Sequence, residues 1–120
     1  MISDTLLLVD DNEDVLNTLE LLLCDEFKEI LTTNRPDNIL SLLSSHRVDA
    51  VVLDMNFSSG INTGNEGLYW LKRIHEIKPE LPVVMLTAYG NVELAVTALK
   101  NGAVDFILKP WENQKMIDTL

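Results

Sequence analysis

The chain has 120 residues, 47% of them hydrophobic, and a formal net charge of −10. This length and apolar content are typical of one folded domain and exclude an intrinsically disordered chain. The acidic balance excludes the basic footprint that direct nucleic-acid binding requires. No apolar run reaches the ~18 residues needed to cross a bilayer, and no secretory signal precedes the first predicted strand. We therefore expect a cytoplasmic domain without a membrane partner.

The first half of the chain predicts three strands and two helices. The apolar run from Thr5 to Val9 is typical of a central parallel strand covered on both faces. A helix begins near Glu13, with one apolar stripe formed by Val15, Leu16, Leu19, Leu22 and Leu23. The more polar segment from Glu29 to Thr33 predicts an edge strand, and Pro36 suits the first turn of a second helix. The run from Ala50 to Leu53 predicts the third strand.

The second half continues the alternation after a loop rich in Gly, Asn and Ser. The predicted elements are a third helix from about Asn65 to Lys78, a fourth strand from Pro82 to Leu86, a fourth helix capped by Gly90-Asn91 and closed by Gly102, a fifth strand from Val104 to Leu108, and a last helix from near Trp111. This order predicts a doubly wound α/β sandwich around a five-stranded parallel sheet. We expect one domain over residues 1–120, with its last helix truncated.

The chain contains one cysteine, Cys24, which excludes an internal disulfide. Its neighbours Leu21, Leu22 and Leu23 favour a buried thiol over a reactive one. We therefore expect Cys24 to lie in the core.

Charged residues end three of the predicted strands. Asp10 and Asp11 follow the first, Asp54 the third and Lys109 the fifth. The carboxyl ends of parallel strands meet at one edge of the sheet, where open α/β folds place their sites. Carboxylates brought together there repel each other unless a cation neutralises them, and Mg²⁺ prefers such oxygen ligands. Capping of the first helix is the simpler alternative, but a single Asp or Asn12 would suffice for it. The pattern predicts a magnesium site.

Thr87 and Lys109 fall at the same predicted edge as Asp54. A metal ion, a lysine and a hydroxyl together can position a phosphoryl group and neutralise its oxygens. A carboxylate is a known nucleophile for covalent phospho-intermediates. The alternative for Lys109 is a simple counter-ion to the acids. We interpret Asp54 as a phosphoryl acceptor and expect no enzyme acting on an external substrate, because no further side chain is placed as a general base.

These residues resemble a known family. The set Asp10-Asp11, Asp54, Thr87-Ala88 and Lys109-Pro110, in this order and spacing, is similar to that of the receiver domain of two-component response regulators, a CheY-like, flavodoxin-like sandwich. The resemblance covers the whole chain. It implies that Asp54 accepts phosphate from a sensor histidine kinase or a phosphotransfer protein in a reaction that depends on Mg²⁺.

The same resemblance implies specific ligand roles. Asp11 and Asp54 would bind the metal directly, together with the backbone carbonyl of Asn56, while Asp10 would act mostly through water. The phosphoryl oxygens would be held by Thr87, the amide of Ala88 and Lys109.

The resemblance further implies a conformational switch. Thr87 would move toward the phosphate, and Phe106 would rotate inward behind it, although Phe106 as a plain core aromatic remains the alternative. The face built by the fourth helix, fifth strand and last helix would respond and is a candidate homodimer surface. The segments 87–90 and 105–111 resemble receivers of NtrC-type enhancer-binding activators. Transcription control and DNA binding would then belong to an output domain outside this chain.

One stretch departs from the family pattern. The loop from Met55 to Glu66 separates Asp54 from Gly67 by several more residues than usual and lacks the customary proline. A plain insertion costs little stability, and a new binding element is the other interpretation. Tyr89 is a candidate shield over the acyl phosphate, or else it points into solvent.

Three alternative functions fit parts of the pattern. A stand-alone receiver would relay phosphate or only bind a partner protein. Phosphatases of the haloacid dehalogenase type also use an Asp nucleophile with Mg²⁺, but they resemble a pattern with a second Asp two residues later as general acid. This chain has Asn56 there, which cannot fill that role. A flavodoxin-like cofactor binder would need a phosphate cradle where Asp10 and Asp11 would repel phosphate.

Overall fold

The computed structural model describes residues 4–54, 65–88, 92–109 and 113–119. Strands and helices alternate along the chain, which confirms the predicted order of elements. The elements are β1 (Thr5–Val9), α1 (Glu13–Leu23), β2 (Glu29–Thr33), a 3-10 turn (Pro36–Asn38), α2 (Ile39–Ser45), β3 (Ala50–Asp54), α3 (Asn65–Ile77), β4 (Val83–Ala88), α4 (Val92–Lys100), β5 (Asp105–Lys109) and α5 (Asn113–Thr119). The predicted cap at Gly90-Asn91 and the predicted helix start at Trp111 lie outside the described residues.

The five strands form one parallel sheet in the order β2-β1-β3-β4-β5. The segment Glu29–Thr33 is an edge strand, as its polarity predicts. The chain moves outward from β1 to β2 and then returns to place β3 on the other side of β1. This change of direction opens a crevice at the carboxyl ends of β1 and β3, the position where open α/β sheets bind ligands. No helix within the described ranges is long and apolar enough to span a membrane.

Successive residues of each central strand point to opposite faces of the sheet and fill two separate cores. Leu7 and Val9 belong to the core that also contains buried residues of α2, α3 and α4. Leu6 and Leu8 belong to the core that contains buried residues of α1 and α5. Helices on both faces explain why β1 is apolar at four consecutive positions, Leu6 to Val9, rather than at every second one.

The first helix is capped by Asn12. Its Oδ1 accepts hydrogen bonds from the backbone N–H groups of Asp14 at 2.9 Å and Val15 at 3.4 Å. An N-cap of this kind satisfies backbone donors that have no partner inside the helix. Because Asn12 is the N-cap residue, capping does not account for the two acids that precede it.

The prediction that Cys24 is buried is wrong. Cys24 is exposed, and its thiol donates to the carbonyl oxygen of Leu21 at 3.3 Å. The buried positions of α1 are Leu16, Leu19 and Leu23, and each residue advances about 100° around a helix of 3.6 residues per turn. The residue after Leu23 therefore leaves the buried stripe, although three leucines precede it.

Gly102 ends α4, as predicted from the sequence. Its N–H donates to the carbonyl of Leu99 at 3.2 Å, and the N–H of Ala103 donates to the carbonyl of Ala98 at 3.0 Å. This pair of bonds is a Schellman motif, and Gly102 has the positive φ of 109° that glycine adopts most easily. The imidazole of His75 in α3 packs so closely that a Cβ on Gly102 would overlap it.

We expect Gly102→Ala to lower the free energy of unfolding by about 1–3 kcal/mol, through backbone strain and through the overlap with His75. Urea titration of the two chains measures the difference. Introducing the same change in a His75→Ala background removes the overlap and leaves the strain, so the cost of the glycine substitution should be smaller there. An equal cost in both backgrounds would show that the His75 contact contributes nothing.

Candidate functional site

Three carboxylates meet at the carboxyl edge of the sheet. One oxygen from each of Asp10, Asp11 and Asp54 lies within 4.8 Å of the others. Asp10 is 1% exposed and Asp54 3% exposed, whereas Asp11 is exposed. The sequence reasoning that placed these acids together from the ends of two separate strands is therefore correct about their proximity.

Strand pairing explains this convergence. Val9 of β1 and Leu53 of β3 are partners in the parallel register, so Asp10 and Asp54 follow them side by side. The N–H of Asp10 donates to the carbonyl of Thr33 at 3.2 Å, which ties the end of β1 to the end of β2. Asp10 Oδ1 also accepts from the N–H of Asn12 at 2.9 Å, which shapes the turn that carries Asp11.

The donor set fits magnesium. Hard divalent cations take carboxylate and carbonyl oxygens, while zinc and copper favour the nitrogen and sulfur ligands that this cluster lacks. Mg²⁺ binds oxygen at roughly 2.0–2.1 Å and keeps several waters, so direct and water-mediated contacts can serve three acids grouped this tightly. Two nearly buried carboxylates beside a third repel one another, and an opposite charge at the cluster offsets that repulsion. A cation at this cluster would supply it.

Thr87 places a buried hydroxyl at the same edge. It lies on β4 directly after Leu86, the register partner of Asp54 on β3. The residue is 0% exposed, and its Oγ1 has no hydrogen-bond partner among the described residues. A buried hydroxyl in this condition costs about 1–3 kcal/mol and is uncommon in folded proteins. A ligand oxygen in the crevice would satisfy it.

The next positions on β4 and β5 complete this edge. Ala88 and Lys109 are register partners at the ends of their strands, one position beyond the pair Thr87 and Leu108. The predicted phosphate-binding residues therefore occupy neighbouring backbone positions. The metal-ligand prediction for Asn56, the shielding prediction for Tyr89 and the long loop after Asp54 fall outside the described residues.

Phe106 lies behind Thr87 on the same face of the sheet. It is the register partner of Met85, which precedes Thr87 by two residues and so shares its side of β4. Phe106 is partly buried and packs against the core formed with α2, α3 and α4. Phe106 thus combines a core contact with partial exposure, which is compatible with a switch residue and with a core aromatic at the rim of the core.

Two features of the edge were missed by the sequence reasoning. The hydroxyl of Thr33 stabilises the turn after β2. It donates to the carbonyl oxygen of Arg35 and accepts from the N–H of Arg35, both at 3.1 Å. Asn34 Nδ2 donates to Glu13 Oε1 at 2.7 Å and so links this turn to α1. The sequence signal for these contacts was the pair of polar residues Thr33 and Asn34 at the end of a strand, comparable to Asp10 and Asp11 after β1.

The sequence model of the response regulator receiver domain family matches residues 6–120 of the chain. This chain belongs to the response regulator receiver domain family. This membership favours a receiver over the phosphatase and cofactor-binding alternatives.

Several curated proteins resemble this receiver. The nitrogen assimilation regulatory protein NtrX of Azorhizobium caulinodans is 36% identical over 112 residues, which are 93% of this chain and 24% of that protein. The transcriptional regulatory protein GlrR of Escherichia coli is 30% identical over 115 residues, 96% of this chain and 25% of that protein. The receiver therefore spans about a quarter of the length of these relatives, which are regulators of the NtrC type.

Solved receiver structures share the fold. The N-terminal signal receiver domain of a response regulator from Bacteroides fragilis has a TM-score of 0.90 and 42% identity, covering 100% of this chain and 94% of that one. The receiver domain of NtrX from Brucella abortus has a TM-score of 0.85 and 35% identity, covering 95% of this chain and 92% of that one. The parallel five-stranded sheet is thus the CheY-like receiver architecture.

Proposed function

We propose that this receiver is a phosphorylation-controlled switch in which Asp54 accepts the phosphoryl group. The donor is a phosphohistidine on a sensor histidine kinase or phosphotransfer protein, and the reaction depends on Mg²⁺. The observation that carries the proposal is the meeting of Asp10, Asp11 and Asp54 within 4.8 Å at the crevice of a parallel sheet. A bound cation lowers the mutual repulsion of such a cluster, and the carboxylate of Asp54, which is 3% exposed, is available there as a nucleophile.

The transfer needs positioning more than acid–base chemistry. An Asp54 carboxylate oxygen attacks the phosphorus as the bond from phosphorus to the donor imidazole nitrogen breaks, and the imidazole leaves with its electron pair and takes up a proton. Bound Mg²⁺ supplies positive charge against the phosphoryl oxygens. Asp10, Asp11, Asp54 and the carbonyl of Asn56 would hold it. The low exposure of Asp54 limits access of water to the acyl phosphate that forms.

The remaining site residues would bind the transferred group. The Thr87 hydroxyl, which has no partner among the described residues, would donate to a phosphoryl oxygen. The Ala88 amide and the Lys109 ammonium would contact the other oxygens from adjacent strand ends. In this proposal the receiver catalyses only its own phosphotransfer and dephosphorylation and turns over no external substrate.

The output face would be α4, β5 and α5. As Thr87 moves toward the phosphate, Phe106 would fill the space behind it and change this face. Val96 and Leu99 on α4 are 41% and 37% exposed, and Val104 just before β5 is 59% exposed. These apolar side chains suit a homodimer or a partner surface. By likeness to the NtrC-type relatives, the output would be transcription in the cytoplasm.

Phosphoryl gain from a small donor tests the proposal. The receiver is incubated with acetyl phosphate in the presence of Mg²⁺ and then in buffer with a chelator, and its intact mass is measured. We expect a gain of one phosphoryl group per chain only with Mg²⁺. No gain in either buffer, or an equal gain in both, would contradict the proposal.

Thr87→Val is expected to raise the stability of the receiver while it weakens the conformational response to phosphorylation. Valine has nearly the same shape but lacks the buried hydroxyl, for which the described residues offer no partner, so we expect the free energy of unfolding to rise by about 1–3 kcal/mol. Chemical shifts of α4 and β5 amides should then change little on phosphorylation, because the residue that reports the phosphate is gone. Urea titration and amide spectra with acetyl phosphate measure both effects. A destabilised variant would show that the hydroxyl has a partner in solution.

A further inference from the structure

The carboxyl end of α4 contains the one Asn-Gly pair of the sequence, Asn101-Gly102. Asparagine before glycine is the pair most prone to spontaneous deamidation, because glycine has no side chain to hinder its backbone nitrogen as that nitrogen approaches the neighbouring amide. Every other asparagine of the chain is followed by a residue that has a side chain. The sequence therefore singles out Asn101 as the position where this reaction meets the least steric hindrance.

Hydrogen bonds engage both reacting groups in the folded receiver. Asn101 Nδ2 donates to the carbonyl of Thr97 at 2.8 Å, and the Gly102 N–H donates to the carbonyl of Leu99 at 3.2 Å. The Asn101 N–H donates to the carbonyls of Thr97 at 3.1 Å and Ala98 at 3.0 Å, so this residue keeps the helical bonding of α4. These bonds must break before the Gly102 nitrogen, freed of its proton, can reach the side-chain carbon of Asn101.

The last turn of α4 contributes little to the core. Ala98 and Ala103 are buried, but the residues between them are exposed, apart from the partly buried Asn101. The imidazole of His75 packs against Gly102 and is the contact that holds this turn to α3. Segments with few buried apolar contacts open locally at a lower free energy than the whole domain. Local opening of this turn is therefore the route that frees the two reacting groups and admits water.

We propose that Asn101 is a site of spontaneous deamidation and that local opening of the carboxyl end of α4 sets the rate. The Gly102 nitrogen gives its proton to water or hydroxide and bonds to Asn101 Cγ. The bond from Cγ to Nδ2 breaks, and Nδ2 takes up a proton and leaves as ammonia. Water then adds to either carbonyl carbon of the cyclic succinimide and opens it to aspartate or isoaspartate. The reaction needs neither an enzyme nor phosphorylation.

Both products place a carboxylate at the end of α4. It replaces the amide that donates to Thr97, and a negative charge at a helix carboxyl end opposes the helix dipole. Asn101→Asp reproduces one product and should lower the melting temperature by about 2–8 °C. Asn101→Ser, which is also short and polar but uncharged, should stay closer to wild type. An Asn101→Asp chain that melts at or above Asn101→Ser would contradict this consequence.

Peptide mass spectrometry after extended incubation tests the site. The folded receiver and the same chain in guanidinium chloride are digested, and the exchange of NH₃ for H₂O is quantified at every asparagine. In denaturant, Asn101 should convert faster than any other asparagine. In the folded receiver it should convert measurably but at least tenfold more slowly, because several hydrogen bonds must break first. Equal rates in the two conditions, or no conversion of Asn101 in the folded receiver, would overturn the inference.

The pair Lys100→Gly and Lys100→Ala tests the local opening. Both remove the same charge from the exposed last residue of α4, but glycine disfavours helix relative to alanine by roughly fivefold in an equilibrium constant. Circular dichroism verifies that both variants are folded. Relative to its own rate in denaturant, folded Lys100→Gly should deamidate at Asn101 about fivefold faster than Lys100→Ala.

Amide hydrogen exchange shows where the chain opens in these two variants. Exchange at Gly102 and Ala103 should be faster in Lys100→Gly by the same factor as deamidation, while exchange in β1 and β3 should change less. Equal deamidation of the two folded variants would overturn the inference. Exchange that accelerates equally in the central strands would overturn it as well, because the reaction would then proceed through unfolding of the whole domain.

Discussion

Asp54→Asn is expected to gain no phosphoryl group from acetyl phosphate under conditions in which the wild-type receiver is modified. The amide lacks the negative oxygen that attacks phosphorus, so the loss should be complete rather than partial. The substitution keeps the size and hydrogen-bonding shape of the residue. Because it also removes one charge from a cluster of three acids, the folded state should be at least as stable as wild type without metal. Intact mass and a urea titration measure the two effects.

The matched control for this variant is Asp25→Asn. Asp25 is exposed in the turn after α1, away from the carboxyl edge of the sheet, and its removal changes the net charge equally. We expect normal phosphoryl gain in this control. Phosphorylation that survives Asp54→Asn would mean that another group accepts the phosphate.

Asp11→Ala is expected to weaken Mg²⁺ binding by about 10–100-fold or more, since loss of an outer contact to a bound metal alone costs that much. In wild type, Mg²⁺ should raise the melting temperature by binding only the folded state. That increase should largely disappear in the variant at the same metal concentration. Calorimetric titration with MgCl₂ gives the affinities directly.

Asp14→Ala is the control for the metal prediction. Asp14 lies three residues further along, in the first turn of α1, and is exposed. It is not among the acids whose oxygens converge. We expect its Mg²⁺ affinity to stay within about twofold of wild type, apart from weak long-range screening. Equal losses in both variants would show that Mg²⁺ responds to the general acidity of this end and not to a defined site.

The fold was predictable because its central strands are buried on both faces. Such strands appear as continuous apolar runs, and Thr5–Val9 shows this directly, while the polar Glu29–Thr33 was correctly placed at the edge. The end of α4 at Gly102 was predictable because a helix often ends at a residue with positive φ, and glycine adopts that conformation most easily. The exposure of Cys24 was not predictable from its apolar neighbours, since a step of one residue, about 100° around the helix axis, moves it from the buried stripe that ends at Leu23 into solvent.

The site was predictable to the extent that strand ends share one edge. That rule brings Asp10 and Asp54 together from positions 44 residues apart in the chain, as the register of Val9 with Leu53 shows. It carries no information on hydrogen bonds, so only the structure shows that the Thr87 hydroxyl has no partner among the described residues.

Chemical mapping of the phosphorylated residue tests the central claim most directly. The receiver is phosphorylated with acetyl phosphate and Mg²⁺, reduced with sodium borohydride, which converts an aspartyl phosphate to homoserine, and then digested and sequenced by mass spectrometry. We predict homoserine at position 54, and none there when the phosphodonor is omitted. Homoserine at Asp10 or Asp11 instead, or a phosphorylated chain in which position 54 remains aspartate, would contradict the assignment of Asp54 as the phosphoryl acceptor.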